Sequence, residues 1–159
     1  MQGMMTTPLK DWWAVYLGKP WRAVPTPPES YNCGELVRAV HRDMLGIDSP
    51  AIPIADANSR MQCVRAMQPD FFGLEPLPHH VLPRAFDVAF LGRRTYLAHC
   101  GMVVETCEGL KILHCPESAA GVCLDSLAEL RLAGFPAVRW FRHREADTAL
   151  RQKGGLPCA

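Results

Sequence analysis

The sequence lacks the features that mark several large classes of protein. It contains no run of about twenty apolar residues, so no membrane-spanning helix is predicted. Its 17 lysines and arginines almost balance its 16 aspartates and glutamates, whereas a nucleic-acid-binding protein is expected to carry a basic excess. We therefore predict neither membrane insertion nor nucleic acid as a partner.

Paired cysteines are also missing. The seven cysteines lie at positions 33, 63, 100, 107, 115, 123 and 158, with no CxxC pair among them. An odd number without such a pair argues against a disulfide framework and against a zinc ribbon. The first residues, MQGMMTTPLKDWW, show no basic segment followed by an apolar core, so no signal peptide is predicted. We expect synthesis in the cytoplasm, a reducing compartment.

What the sequence contains is typical of a compact mixed fold. Of its 159 residues, 48% are hydrophobic, which predicts one folded domain over residues 1–159. Helical patterns come first, and short β-prone segments follow at 86–91, 98–104, 110–114 and 137–142. This order predicts an α+β fold with an antiparallel sheet. The last segment, 145–159, is expected to be a frayed tail.

The segment YNCGELVRAVHRDMLG (31–46) predicts a helix with a cysteine in its first turn. Asn32 is a good N-cap, and Glu35 completes the pattern of a capping box. Cys33 then lies where unpaired backbone N–H groups and the positive end of the helix dipole favour a thiolate. Alternatively, Cys33 is a small buried residue, as free cysteines commonly are. His41 is expected to be a half-exposed residue of this helix.

Two histidines could supply the base that such a thiol needs. His99 begins one predicted strand, and His114 ends the next. If the hairpin loop is 105–108, the two histidines lie directly opposite each other on one face of the sheet. One imidazole could then orient the other, which gives a nucleophile, a base and an orienting residue in Cys33, His99 and His114. The alternative is a pair of structural histidines, because a slip of one residue would separate them.

Other chemically active side chains have structural explanations. Strand alternation directs Cys100 and Cys115 away from the two histidines and into a core. Trp12, Trp13 and Tyr16 could form a binding patch for a sugar or a partner. We expect them instead to pack a short N-terminal helix onto the domain.

The candidate residues belong to a longer series of motifs. In chain order these are GKPW (18–21), NCGELVRAVHRDMLGI (32–47), FDVAF (86–90), HCGMVV (99–104) and ILH (112–114). The series resembles the NlpC-type, papain-like cysteine peptidases of the bacterial cell wall, and most closely the branch found in bacteriophage tail-tip assembly proteins. The resemblance covers residues 17–142. It implies a papain-like fold, with N-terminal helices packed on an antiparallel sheet and the nucleophile at the start of a central helix.

The resemblance also implies an activity, the hydrolysis of amide bonds in peptidoglycan stem peptides by a cysteine endopeptidase. Cys33 would attack the carbonyl, His99 would protonate the leaving amine, and His114 would hold the His99 ring. The Cys33 N–H, with Asn32 and Trp21 near it, is a candidate for the oxyanion site. No metal or other cofactor is implied. The protein would belong to a phage or prophage tail and act on the cell wall, with tail-tip proteins as partners.

Four positions depart from the family pattern. Asn32, Glu35, Trp21 and Phe86 stand where the family has Asp, Gly, Tyr and Gly. A carboxylate at Glu35 would oppose thiolate formation if it faced the Cys33 sulfur. Two alternatives therefore stay open. One is a tail-tip assembly module with the same fold and weak or lost catalysis, and the other is a metal site that uses the proposed catalytic triad as three ligands.

Overall fold

One antiparallel sheet organises the structure, a computed structural model that describes residues 10–54, 56–119 and 121–154. Its six strands have the order β1-β6-β2-β3-β4-β5. The strands are β1 (Leu74–Pro76), β2 (Val88–Arg93), β3 (Tyr96–Thr106), β4 (Gly109–His114), β5 (Cys123–Asp125) and β6 (Ala137–His143). The α-helices are α1 (Cys33–Leu45), α2 (Arg60–Ala66), α3 (Leu127–Leu132) and α4 (Ala146–Gln152). The predicted α+β class is confirmed.

Helix α1 begins at Cys33 because of its cap. The Oδ1 atom of Asn32 accepts a hydrogen bond from the N–H of Glu35 at 2.9 Å. The helix ends at Gly46, whose left-handed backbone lets its N–H donate to the carbonyl of Arg42. The predicted helix is thus confirmed, with Cys33 as its first residue.

The predicted capping box forms only in part. Both carboxylate oxygens of Glu35 accept from Nη1 of Arg38 at 2.8 Å, instead of reaching back to the N–H of Asn32. Arg38 is itself held by the carbonyl of Ser49, to which its Nη2 donates at 2.8 Å. The guanidinium carries a full positive charge and the backbone N–H does not, so the carboxylate pairs with Arg38. The negative charge of Glu35 is therefore compensated locally.

Apolar side chains cover both faces of the sheet. Helices α1 and α2 pack on β3, where one core cluster includes Leu36, Val37, Phe90, Cys100, Met102, Leu113 and Cys115. On the opposite face, α3 contributes Leu130 to a smaller cluster with Ala89, Leu91, Val103 and Ile112. The prediction that Cys100 and Cys115 pack in a core is confirmed, since both are fully buried.

The prediction for the N-terminal segment is confirmed, and that for the C-terminal segment is wrong in part. A 3-10 helix at Trp12–Val15 buries Trp12, and Tyr16 is buried just after it, so the predicted packing role is confirmed for both. The prediction of a frayed tail is wrong for Ala146–Gln152, which form α4. Its buried residues Ala149 and Leu150 join the core on the α1 face, because a short apolar stripe suffices once a core is present to receive it. Residues 1–9 and 155–159 lie outside the described residues.

Two strands, β1 and β5, were not predicted from the sequence. Each is three residues long and pairs with a single neighbour, β6 and β4 respectively. Such short edge strands carry too few residues for a period-2 pattern to show. Among the residues described, no helix is both long enough and apolar enough to cross a bilayer.

Candidate active site

Four of the five predicted site residues line one cleft. The cleft has a volume of about 670 Å³, and Cys33, His99, Trp21 and Asn32 all contribute to its wall. It lies between the start of α1, the segment that leads into α2, and the beginning of β3. Further side chains in its wall include Glu35, Ile52, Ile54, Arg60, Cys63, Glu117 and Phe135.

The fifth residue, His114, lies behind His99 and hydrogen-bonds to it. Nε2 of His99 is 2.9 Å from Nδ1 of His114. The predicted register is wrong by two residues, because the hairpin turn is shorter than expected and Gly101, not His99, is opposite His114. A shift of two residues keeps both histidines on the same face, so they meet as diagonal neighbours.

The glycine of the HCG motif, Gly101, lies where β3 and β4 approach each other closely. A Cβ at this position would lie 2.5 Å from Cγ2 of Ile112 and 3.0 Å from Cβ of His114. Contacts under about 3 Å would force β3 and β4 apart, so only glycine allows the two strands to approach this closely. The phenyl ring of Phe135 stacks on His99, with ring centroids 4.9 Å apart. Strand pairing and stacking together hold the His99 ring.

The surroundings of Cys33 favour its thiolate. Its pKa is lowered well below the ordinary value, first by hydrogen bonding with the Cys100 thiol and then by hydrogen bonding and charge from His99, which together outweigh burial. The pKa of Cys100 is raised well above the ordinary value, because its hydrogen bond with Cys33 and its burial both favour the protonated thiol. The carboxylate of Glu35, which also lines the cleft, is paired with the guanidinium of Arg38 at 2.8 Å.

His114 is a neutral imidazole near neutral pH. Burial and the nearby charge of His99 lower its pKa to about 4, although Asp125 opposes the shift. Its Nε2 lies 2.6 Å from Oδ2 of Asp125, a distance typical of a strong charge-assisted hydrogen bond. Since the carboxylate can only accept, His114 donates from Nε2 and its Nδ1 accepts from Nε2–H of His99. The remaining nitrogen of His99, Nδ1, is available to hydrogen-bond with the Cys33 sulfur.

Sequence reasoning missed Asp125 and its neighbour Cys123. Cys123 is paired with His114 across the β4–β5 ladder, and Asp125 lies two residues further on the same face. The Sγ atom of Cys123 is 3.4 Å from Nε2 of His114 and 3.5 Å from Oδ2 of Asp125. The only sequence signal was the alternation in CLD, which is too short to predict a strand.

Trp21 and Asn32 are placed beside the nucleophile by backbone pairing. The segment around Trp21 bridges to Tyr31, and the N–H of Tyr31 donates to the carbonyl of Pro20 at 3.0 Å. The GKPW motif is therefore attached to the residue that precedes the α1 cap. The side-chain oxygen of Asn32 is engaged in that cap. A role for either residue at an oxyanion site stays a prediction.

One group of side chains in the described part of the chain has the geometry to hold a metal ion. It consists of His114, Cys123 and Asp125, whose ligand atoms lie within 4.8 Å of one another. This group shares only His114 with the alternative metal site considered from the sequence. Cys33 and His99 belong to the cleft instead, so the structure does not support that alternative ligand set.

The comparisons with known proteins identify no family. No protein-family model matches the chain, and no curated protein matches it. Two solved structures, each of an N-acetylmuramoyl-L-alanine amidase from Bacteroides uniformis ATCC 8492, are similar to this chain. One is 14% identical with a TM-score of 0.48 and covers 82% of this chain and 94% of that chain. The other is 20% identical with a TM-score of 0.34 and covers 42% of this chain, which spans only 32% of its length. A Bacteroides fragilis protein provisionally described as a xylanase is 11% identical, with a TM-score of 0.49 and coverage of 82% and 98%.

Proposed function

We propose that the protein is a thiol hydrolase, with Cys33 as nucleophile, His99 as acid–base group and His114 as the residue that orients His99. One observation carries the proposal. His99 hydrogen-bonds to His114 at 2.9 Å while it also stabilises the thiolate of a cysteine at a helix N-terminus. Burial alone would keep a thiol protonated, so the lowered pKa of Cys33 depends on these partners.

The proposed reaction is the hydrolysis of an amide bond through an acyl-enzyme. The Cys33 thiolate attacks the carbonyl carbon, and the developing oxyanion is stabilised by the N–H of Cys33 at the start of α1. His99 donates its proton to the leaving amine as the C–N bond breaks. It then accepts a proton from water, whose hydroxyl oxygen attacks the thioester and releases the acid and free Cys33. His114 and Asp125 keep the His99 ring in place throughout.

We further propose that the substrates are stem peptides of peptidoglycan. The ordered series of motifs from GKPW to ILH supports this assignment, and so does the cleft, which carries both an exposed arginine and two carboxylates. Arg60 could pair with a carboxylate of the stem peptide. On this proposal residues 1–159 form one peptidase domain with its core at 17–142, and the domain belongs to a protein of a phage or prophage tail.

The test is cleavage of purified muropeptides, followed by the appearance of new free amines. We expect release by the unchanged protein and by Cys63→Ala, which alters another cysteine of the same cleft, but none by Cys33→Ala. A thiol alkylator should abolish the activity, and a chelator should not. Cleavage that persists in Cys33→Ala would rule out the proposed mechanism.

The alternative function is a tail-tip assembly module that keeps the fold without its chemistry. Absence of muropeptide cleavage by both the unchanged protein and Cys33→Ala would favour this alternative. In that case binding to tail-tip proteins, measured equally for the unchanged protein and Cys33→Ala, would replace hydrolysis as the function to study.

A further inference from the structure

Three potential metal ligands meet on the side of His114 that faces away from His99. The ladder pairs His114 with Cys123, and alternation along β5 places Asp125 on the same face. An imidazole nitrogen, a thiol sulfur and a carboxylate oxygen therefore converge from two adjacent strands. Zn²⁺ is the divalent ion that most commonly accepts this combination of donors.

The distances between the three donor atoms fit such an ion. Tetrahedral Zn²⁺ with bonds of about 2.0 Å to N and O and about 2.3 Å to S separates sulfur from either lighter atom by about 3.5 Å. The separations from Sγ of Cys123 are 3.4 Å to Nε2 of His114 and 3.5 Å to Oδ2 of Asp125. The third separation is 2.6 Å, because a proton now bridges His114 and Asp125. It would open by roughly 0.7 Å when the ion replaces that proton.

An ion could enter this group from solvent. The side chain of His114 is only 1% exposed, but that of Asp125 is 26% exposed and forms the outer wall of the group. Three protein ligands leave the fourth tetrahedral position for water. Among the residues that the structure describes, the half-buried thiol of Cys123 has side-chain hydrogen bonds to His114 and Asp125 only, the two other proposed ligands.

We propose that His114, Cys123 and Asp125 form an inhibitory Zn²⁺ site that acts on Cys33 through the histidine pair. Coordination uses the lone pair of Nε2, so the single proton of the neutral His114 ring must move to Nδ1. That Nδ1–H then donates to Nε2 of His99, which can no longer carry a proton. The proton of His99 is confined to Nδ1, the nitrogen that faces Cys33. The direction of the His99–His114 hydrogen bond is thereby reversed, and His99 can no longer be the imidazolium that stabilises the Cys33 thiolate. The second proton of His99 and the thiol proton of Cys123 are released to solvent as Zn²⁺ binds.

The proposal separates into a binding step and its effect. Binding depends only on the three ligands and is independent of the proposed function, whereas inhibition rests on it. The effect is also distinct from direct capture of the ion by Cys33, because the proposed ligands do not include the nucleophile.

Binding is tested with Zn²⁺ and Co²⁺ alone, on metal-free full-length protein. We expect one equivalent of tightly bound Zn²⁺ by competition with a chromogenic chelator. Co²⁺ should give the thiolate charge-transfer and d–d bands of a tetrahedral site. Cys33→Ala should retain both signals, and Cys123→Ala should lose the charge-transfer band and bind Zn²⁺ at least tenfold more weakly. Asp125→Asn provides a second variant, and circular dichroism checks the fold of each.

The effect is tested by the rate at which iodoacetamide alkylates Cys33, measured by peptide mass spectrometry. One equivalent of Zn²⁺ should slow this rate at least tenfold in the unchanged protein and in Cys107→Ala, which removes an exposed cysteine. It should have no effect in Cys123→Ala. The proposal is overturned if Cys33→Ala abolishes binding, or if Cys123→Ala binds Zn²⁺ as the unchanged protein does. Binding without any change in Cys33 reactivity would refute the inhibitory role and leave the proposed hydrolase untouched.

Discussion

Nε2 of His99 lies 2.9 Å from Nδ1 of His114, although the two residues are not opposite each other in the sheet. The residue opposite His114 is Gly101, and His99 is the diagonal neighbour two residues away. The pair therefore depends on a close approach of β3 and β4 at a position without a side chain. A short hairpin turn and one glycine decide a contact on which the proposed chemistry depends.

Gly101→Ala should disturb this contact. The new methyl group would lie 2.5 Å from Cγ2 of Ile112, so we expect a loss of about 1–3 kcal/mol in the free energy of unfolding, as for overpacked cores. The rate of muropeptide hydrolysis should fall as well. Gly73→Ala is the control, since it is strained at φ +68 but lies against His143, away from the cleft. It should lower stability in urea unfolding without lowering kcat, and equal kcat values for both variants would contradict this account.

Asp125→Asn should reduce kcat more than it changes KM. The amide keeps the size of the side chain but removes the negative partner of His114, and hydrogen bonds to charged groups are worth about 1.5–3 kcal/mol. If much of this hydrogen-bond free energy is lost in the transition state, kcat falls roughly tenfold to a hundredfold. Steady-state kinetics on a defined muropeptide measures the effect, with the exposed Asp48→Asn as control. A large rise in KM at constant kcat would show that Asp125 acts on substrate binding instead.

Cys33 should react with iodoacetamide at lower pH than an ordinary cysteine. Its pKa is lowered by Cys100 and His99, so half-maximal reactivity is expected below the value of about 8.5 for a free cysteine. Cys63 is an internal control in the same cleft, because burial raises its pKa to about 11. His99→Ala should shift the Cys33 profile to higher pH. A Cys33 profile that coincides with that of Cys63 would remove the basis of the proposed mechanism.

The prediction that His41 is half-exposed is wrong, and the error has a consequence for stability. His41 is 1% exposed, and burial together with the charge of His143 lowers its pKa to about 4. The unfolded chain takes up this proton near pH 6.5, but the folded chain does so only near pH 4. Stability present above pH 6.5 is therefore lost as the pH falls towards 4, by on the order of 3 kcal/mol for this group.

His41→Leu should flatten this dependence. Urea unfolding at pH 7.0, 5.5 and 4.5 should show a smaller loss of stability for the variant than for the unchanged protein. Buried histidines that are not in contact with His41, such as His114, contribute equally to both proteins and cancel in the difference. The neighbouring His143 is coupled to His41, so the variant reports on the pair. Parallel curves for the two proteins would show that His41 does not contribute to acid unfolding.

Phe86 combines a buried ring with a strained backbone. Its φ is +72°, in the region that favours glycine, and its ring stacks on Trp12 with centroids 4.7 Å apart. Both Phe86→Ala and Phe86→Gly should destabilise the protein by about 3–5 kcal/mol through lost packing. The glycine variant should be the more stable of the two by about 1 kcal/mol, because it relieves the left-handed strain. Thermal and urea unfolding compare them, and an alanine variant that is the more stable would refute this explanation.

Much of the fold follows from local patterns. The stripe of apolar residues after Cys33 and the asparagine before it were enough to predict α1, and four of the six strands were identified by their composition. The segment 146–152 and strands β1 and β5 were missed, because each is stable only where a core or a neighbouring strand already exists. The capping box was predicted from spacing, but the competition from Arg38 depended on where Ser49 holds that guanidinium.

Local sequence was enough to predict that a cysteine starts a helix and that two histidines share one face of a hairpin, because helix caps and strand alternation are local properties of the chain. Tertiary packing was needed to set the two-residue shift that makes Gly101 the partner of His114, the Ser49 contact that holds Arg38 against Glu35, and the position of Asp125 behind the histidines. These are contacts between separate elements of the structure, and their geometry is set by packing, which no short stretch of sequence encodes.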